Sequence, residues 1–165
     1  DHQWWLPHGT RLLLNAQGYT QGGYFADNGH CAPALPPLAA SLETHARYYL
    51  GTSYLWGGRS IWGIDCSGLM QQIFGVHGIA LPRDAYQQAG VGETIHLIGE
   101  ARPGDLAFFD NEEGRIIHVG MVLPEGKIIH ASGQVRIDQL DHFGIYNQPT
   151  QRYTHQLRLI TRVLA

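Results

Sequence analysis

The order of two hydrophobic patterns constrains the fold of this chain more than any other feature. Apolar residues recur at helical spacing in two early segments, Leu38–Leu50 and Cys66–His77, as in helices that bury one face. A shorter helix is expected over Arg83–Ala89, after Pro82. Segments with strand character then follow: Leu106–Phe109, Ile116–Leu123, Lys127–Ser132 and His155–Val163. Helices that precede antiparallel strands predict an α+β domain.

The length predicts one domain with a short segment in front of it. The chain has 165 residues, and a domain usually takes about 100–200. Residues 1–37, rich in Gly, Asn and aromatics and ending in prolines, are assigned to an N-terminal segment, and residues 38–165 to the main domain. Apolar residues make up 44% and charged residues 15%, which is typical of a globular chain. Two cysteines do not make a disulfide framework.

Charge and hydropathy argue against two classes of partner. The net charge is −3, which gives no electrostatic support for binding nucleic acid or an anionic membrane. The apolar runs fall short of the roughly 18 residues that a membrane helix needs. The chain starts at Asp1 without a basic-then-apolar leader, so we interpret it as a processed chain or a fragment. We expect a monomer without a membrane span.

Cys66 is the candidate nucleophile. It begins the second helix, with Asp65 as its N-cap, and free N–H groups and the helix dipole favour a thiolate there. Two alternatives stay open. Cys66 is also a small apolar residue on the buried stripe of its helix, and a disulfide to Cys31 would exclude catalysis.

Two histidines on consecutive strands supply a candidate base and a partner for it. His118 shares a strand face with Gly120, whose missing side chain leaves room beside the ring, and His130 lies on the next strand. Opposed side chains on antiparallel strands lie about 5 Å apart, so the two rings can touch. A thiol, a histidine base and an orienting third residue form a known nucleophilic arrangement. The alternative is a hydrogen-bonded structural pair.

A metal site is the main rival for a chain with ten histidines. The sequence contains no His-Glu-x-x-His and no Cys-x-x-Cys motif, so we expect no metal and no cofactor. Of the other eight histidines, His30 is next to Cys31, and adjacent residues seldom chelate a metal together. The remaining seven are scattered, and most are interpreted as surface or structural groups: His2, His8, His45, His77, His96, His142 and His155.

Several side chains near Cys66 keep two interpretations each. Asp65 either only caps its helix or also holds a substrate ammonium group. Arg83 and Asp84 are either a surface pair or offer a guanidinium to a substrate carboxylate. Tyr54 and Trp56 are either core aromatics or the wall of a pocket.

Six segments between about residues 45 and 140 together resemble the NlpC-type cysteine peptidases, a family of papain-like bacterial cell-wall hydrolases. They follow in the family's order and spacing: Tyr54-Leu-Trp-Gly-Gly58, Asp65-Cys-Ser-Gly-Leu69, Leu81-Pro-Arg-Asp84, Arg102-Pro-Gly-Asp-Leu106, His118-Val-Gly120 and Ile129-His-Ala131. The resemblance implies a papain-like fold with helices packed on a central antiparallel sheet. It also implies Cys66 as nucleophile, His118 as general base and His130 as the orienting residue.

The same resemblance implies a substrate. In the better-understood branch the enzyme cuts peptidoglycan stem peptides between γ-D-glutamate and a diamino acid such as diaminopimelate. There, the residues that match Asp65 and Ser67 contact the free amino group of the leading L-alanine. Arg83 and Asp84 match residues that line the same region, and Tyr54 matches a tyrosine near the substrate cleft.

The resemblance also bears on context and on rival functions. Residues 1–37 would be the tail of a Src-homology-type β-barrel, and the enzyme would work in the cell envelope, the periplasm or outside the cell, or in cytoplasmic recycling. An acyltransferase or amidase on the same scaffold is one rival, although permuted relatives of that kind place the histidine before the cysteine. A catalytically inactive wall-binding module is the other.

Overall fold

A computed structural model describes residues 39–164 of the chain. Three helices come first: α1 (Ala39–Tyr48), α2 (Cys66–Val76) and α3 (Ala85–Gln88). A small hairpin, β1 (Arg59–Ser60) and β2 (Gly63–Ile64), lies between α1 and α2. Seven strands then make one sheet: β3 (Glu93–Ile95), β4 (Leu106–Asp110), β5 (Ile116–Leu123), β6 (Lys127–Ser132), β7 (Gln134–Leu140), β8 (Gly144–Asn147) and β9 (Arg152–Arg162). A 3-10 turn covers Ile98–Glu100.

Helix α2 forms as its sequence predicts. The Asp65 side chain caps it by accepting a hydrogen bond from the backbone N–H of Gly68. Its apolar stripe, which includes Leu69, Ile73 and Phe74, is fully buried. The helix ends before Gly78, whose φ of +77° suits glycine.

The sheet closes on itself through its last strand. All its pairings are antiparallel, in the order β3-β9-β4-β5-β6-β7-β8, and β9 also pairs with β8. The first half of β9 bonds to β8 and its later residues bond to β4 and β3, because β9 is 11 residues long. Strands β4 to β9 therefore form a six-stranded, barrel-like sheet.

Two apolar cores lie on the two faces of that sheet. One joins the helices to its outer face and includes Leu42, Phe74 and Met121. The other fills the inside of the barrel and includes Phe109, Ile128 and Ile145. Alternation along β5 and β6 places His118 and His130 on the inner side, with Ile128.

The predicted mixture of helices and antiparallel strands is confirmed. Strands β1, β2, β3, β7 and β8 were not predicted, and β7 and β8 are the elements that let the sheet close. The predicted N-terminal segment, residues 1–37, lies outside the described residues. Within residues 39–164, no helix has the length and apolar character needed to cross a membrane.

Candidate active site

The thiol of Cys66 is buried and free. Cys66 is the first residue of α2, is 7% exposed and is a free cysteine. Cys31, its partner in the alternative disulfide, lies outside the described residues. Burial raises the pKa of this thiol, and the neighbouring Asp65 carboxylate raises it further. Hydrogen bonds from the backbone of Val119, Ser67 and Cys66 itself oppose the rise without cancelling it. The expected thiolate at the helix start is therefore disfavoured in the free protein.

The two predicted histidines contact each other. Nε2 of His118 lies 2.8 Å from Nδ1 of His130, and the side chains are 5% and 1% exposed. The strand register places Gly120, not His118, opposite His130, so the two rings meet along the diagonal of the pair. The backbone of Val119 hydrogen-bonds to Cys66, which brings the thiol to the strand position next to His118.

Gly120 makes this register possible, but not by leaving empty space. A Cβ added there would lie 2.7 Å from Cδ1 of Ile128 and 2.9 Å from the carbonyl oxygen of Ile129. The space beside the imidazole is therefore filled by the barrel core, and the expected gap is wrong.

A carboxylate that the sequence did not reveal anchors His130. Nε2 of His130 lies 2.9 Å from Oδ2 of Asp138 on β7, and Arg136 donates from Nη2 to Oδ1 of Asp138 at 2.9 Å. Burial raises the pKa of Asp138, but the hydrogen bonds from His130 and Arg136 outweigh it and hold that pKa below its usual value. The chain of contacts runs from His118 through His130 to an ionised, charge-paired carboxylate.

A third histidine lies against the pair. The ring of His155, on β9, stacks on that of His118 with centroids 4.1 Å apart and planes 22° apart. From the sequence, His155 is one of the scattered histidines. Its strand carried a signal, since His155 and Leu157 alternate with polar residues, and Leu157 packs against the inner core.

Both stacked rings are held neutral near neutral pH. Burial lowers the pKa of His118 well below its usual value, and the neighbouring His130 and His155 lower it further. Burial, followed by the charge of His130, lowers the pKa of His155 to about 4, although Asp138 opposes the change. A neutral imidazole at His118 can accept a proton, as a general base must.

The Asp65 carboxylate accepts more hydrogen bonds than either interpretation of Asp65 assumed. Its two oxygens accept from the side chains of Arg83 and Ser67 and from the backbone N–H groups of Gly57 and Gly68. Burial raises its pKa, but these bonds, led by the one from Arg83, leave it lowered. A carboxylate has about four lone-pair sites, and five donor contacts fill them. Asp65 thus caps the helix and also fixes Arg83 next to Ser67.

The other predicted binding residues differ in exposure and in how close they lie to Cys66 and Asp65. Tyr54 is half-buried, and burial followed by the charges of Cys66 and Asp65 raises its pKa, so it lies close to both. Trp56 is 85% exposed and belongs to no core. Asp84 is exposed at the N-cap of α3, where its backbone N–H donates to Gln87.

One cluster among the described residues has the composition of a metal site. The side chains of His118, His130 and His155 bring ligand atoms within 4.8 Å of one another. A metal needs lone pairs that converge at about 2.0–2.1 Å, but the His118 and His155 rings are stacked almost parallel, so their in-plane lone pairs do not converge. Nε2 of His118 is also engaged with His130. The arrangement suits proton transfer better than metal binding.

Sequence comparison gives this site a family context. The sequence model of the NlpC/P60 family matches residues 51–158. A Bacillus subtilis gamma-D-glutamyl-L-lysine dipeptidyl-peptidase is 46% identical over 86 residues, which are 51% of this chain and 29% of that protein. A Bacillus cereus protein of the same name is 37% identical over 131 residues, 76% of this chain and 36% of the relative. The chain thus spans about a third of the length of these relatives.

Comparison with solved structures supports the same family. The crystal structure of an NlpC/P60 family protein from Bacillus cereus superposes with a TM-score of 0.68 at 31% sequence identity. The superposition covers 80% of this chain and 42% of the other.

Proposed function

The chain belongs to the NlpC/P60 family, and from that premise we propose that it is a cysteine peptidase of peptidoglycan stem peptides. The scissile bond is the one between γ-D-glutamate and a diamino acid, either L-lysine or diaminopimelate. The observation that carries the proposal is the free thiol of Cys66 at a helix start, hydrogen-bonded by the backbone of Val119, the residue after His118, which itself contacts His130. The names of the two curated relatives support the choice of bond.

The contacts of His130 assign the protons before reaction. An ionised Asp138 can only accept, so Nε2 of His130 carries the proton that faces it. With that proton on Nε2, His130 accepts at Nδ1 from Nε2–H of His118. The remaining nitrogen of His118, Nδ1, is left with a free lone pair, which is the state that a base for the Cys66 thiol requires.

Acylation follows from that state. Sγ of Cys66 attacks the γ-carbonyl carbon of D-glutamate while its proton passes to Nδ1 of His118. The backbone N–H of Cys66, at the first turn of α2, is placed to stabilise the oxyanion. The C–N bond then breaks, and His118 returns the proton to the leaving amine.

Hydrolysis of the thioester restores the enzyme. Water attacks the acyl carbon, its proton passes to His118, and the thiolate of Cys66 leaves and takes the proton back. Because burial disfavours a free thiolate in the resting protein, proton transfer to His118 accompanies the attack. Every proton in this cycle is carried by the chain itself, so the proposal requires no cofactor.

Recognition of the stem peptide is proposed at the Asp65, Ser67 and Arg83 cluster, beside Tyr54. Both oxygens of Asp65 already accept from donors of the chain. An L-alanine ammonium group would bind by replacing one of them, and Arg83, which is the most exposed of the donors' side chains, is the one able to move. Trp56 and Asp84, which are exposed, are assigned to the outer contacts of the stem peptide.

The test is the hydrolysis of defined muropeptides by the purified chain, with products identified by mass spectrometry. We expect cleavage of L-Ala-γ-D-Glu-L-Lys or its diaminopimelate counterpart, and no cleavage by Cys66→Ala. Cys31→Ala is the matched control and keeps full activity. Hydrolysis by Cys66→Ala would contradict the proposal. Binding without cleavage would instead indicate a wall-binding module, and transfer of the acyl group to an added amine would indicate an acyltransferase.

A second comparison tests recognition. Stems with a free L-alanine are expected to be cleaved faster than N-acetylated or glycan-linked stems, and Asp65→Asn removes that preference. Equal rates on both kinds of stem would contradict the assignment of Asp65 without affecting that of Cys66. A stem-cutting monomer of this kind would act in the cell envelope or outside the cell, or in recycling of wall peptides.

A further inference from the structure

The ring of His155 is the one aromatic neighbour that lies flat on the proposed base, among the ring contacts of residues 39–164. It stacks on His118 at 4.1 Å and 22° and meets His130 edge-on at 5.7 Å and 82°. Phe109 is tilted against His118 at 5.8 Å and 47°, and edge-on to His155 at 5.9 Å. These contacts join residues from β4, β5, β6 and β9.

A stacked neighbour restricts the tilt of the His118 ring, which the hydrogen bond to His130 does not restrict. One contact between Nε2 of His118 and Nδ1 of His130 fixes one atom of the imidazole, but the ring can still rock about that point. A stacked ring fixes the plane, because tilting the imidazole would lose the face-to-face contact. With one atom and the plane both fixed, the direction of Nδ1 is fixed as well.

His155 is itself held by the strand pair that closes the barrel. Its Nδ1 lies 2.9 Å from Oγ1 of Thr154, and its backbone pairs with Ile145 on β8. Thr154 in turn donates from Oγ1 to the carbonyl oxygen of Ile145. The His155 ring is therefore anchored by residues that do not belong to the chain of contacts from His118 through His130 to Asp138.

We propose that His155 is a positioning residue for the proposed peptidase reaction: its flat ring aims Nδ1 of His118 at the Cys66 thiol and keeps water off the imidazole. This inference rests on the proposed function, because it assigns His155 a task within that site.

The charges around His118 fit this role. The titratable groups that contact it are His130 from β6 and His155 from β9, with Asp138 behind His130 and paired with Arg136. The Cys66 thiol from α2 is hydrogen-bonded by the backbone of Val119, the residue after His118. A neutral His155 presents an aromatic face to the imidazolium that forms when His118 takes the thiol proton, and such a face attracts a cation. A protonated His155 would repel it.

The test compares His155→Phe with His155→Ala and His155→Leu in the full chain. Phenylalanine keeps a flat ring, alanine removes it, and leucine fills the space without flatness. We expect the alanine and leucine variants to lower kcat about 10- to 100-fold, since small misplacements of a reacting group have effects of this size, with KM changed less than about threefold. His155→Phe keeps kcat within about threefold. His96→Ala, at an exposed histidine, is the matched control.

A second readout needs no substrate. Titration of the His118 ring by NMR is expected to give a higher pKa in His155→Ala than in the wild-type chain, because burial is the main cause that lowers it. In an active chain, the acidic limb of kcat/KM moves to higher pH by the same amount.

Three results would overturn the inference. Wild-type kcat and an unmoved His118 titration in His155→Ala would show that the ring does not position the base. Equal losses in the phenylalanine and alanine variants would show that a nitrogen of His155, not its flatness, matters. If Cys66→Ala is inactive while all three His155 variants are fully active, the proposed function survives and this inference alone fails. A folded His155→Leu excludes misfolding as the cause of any loss.

Discussion

Nε2 of His130 lies 2.9 Å from Oδ2 of Asp138, so the ring that contacts His118 on one side is held by a buried carboxylate on the other. This contact decides which nitrogen of His130 carries the proton, because an ionised carboxylate accepts and does not donate. It thereby also sets the tautomer of His118, the ring that follows His130 in the chain of contacts. Asp138 touches neither Cys66 nor the substrate in the proposed reaction, and acts only through the two rings.

Replacing Asp138 with asparagine tests that assignment. An amide can donate its N–H to Nε2 of His130, which would move the proton to Nδ1 and reverse the bond to His118. The analogous change directly beside a catalytic histidine lowers kcat by about 10⁴. We expect a smaller loss here, about 10- to 100-fold in kcat with little change in KM, because Asp138 is one ring further away.

The measurement is steady-state kinetics on a stem peptide, with unfolding monitored alongside. Glu112→Gln makes the same chemical change at an exposed site and should keep wild-type kcat. A folded Asp138→Asn with wild-type kcat would show that the tautomer of His118 does not depend on Asp138.

The candidate site was predictable where it is set by local sequence. The Asp65 cap and the burial pattern of α2 follow from the order of residues within one helix. The meeting of His118 and His130 follows from two strands joined by the short turn at residues 124–126. Their catalytic roles stay predictions, while membership of the NlpC/P60 family is confirmed.

The rest of the site depends on pairing between distant segments. Asp138 reaches His130 because β7 pairs with β6 in the sheet, and β7 was not predicted. His155 reaches His118 because β9 pairs with both β8 and β4. The hydrophobic periodicity of a single segment does not reveal that the sheet closes, because closure depends on which strands pair with each other. The raised pKa of the Cys66 thiol also differs from the expected thiolate, because burial outweighs the favourable helix start, and the extent of burial is a tertiary property.

The raised pKa of the Cys66 thiol predicts how it reacts with iodoacetamide. Because the thiolate is the reactive form, alkylation should be slow at about pH 5–6 and rise steeply toward alkaline pH. The rate is measured in a Cys31→Ser background, so that one thiol reacts, and is compared with glutathione at each pH. A rate that stays flat down to about pH 5 would instead mean that Cys66 and His118 form an ion pair in the resting protein.

Gly120 is expected to tolerate no side chain. A Cβ there would meet Ile128 and the carbonyl oxygen of Ile129 at less than 3.0 Å, so Gly120→Ala forces β5 and β6 apart. Overpacking of this kind typically costs about 1–3 kcal/mol in the free energy of unfolding. Because the register of these strands sets the contact of His118 with His130, kcat should fall as well.

Denaturant unfolding and kinetics of Gly120→Ala check both effects. Gly99→Ala is the control, because a Cβ at Gly99 meets nothing within 4 Å, and its stability should stay within about 0.5 kcal/mol of wild type. Equal stability of the two variants would mean that the sheet relaxes around the added methyl group.

Acid should destabilise the fold through the stacked histidines before it protonates carboxylates. In the unfolded chain His118 and His155 take up protons below about pH 6.5, whereas in the fold the pKa of His118 is lowered well below that value and that of His155 to about 4. Between these values the unfolded state binds more protons, so stability rises with pH and falls on acidification. The carboxylates of Asp65 and Asp138, whose pKa values are lowered in the fold, lose their contribution to stability only at still lower pH.

We therefore expect Tm to fall between about pH 6.5 and pH 4, and to fall less steeply in His155→Phe, which removes one of the two groups. His96→Phe, at an exposed position, should leave the slope unchanged, and an identical slope in His155→Phe would show that His155 does not stay neutral in the fold.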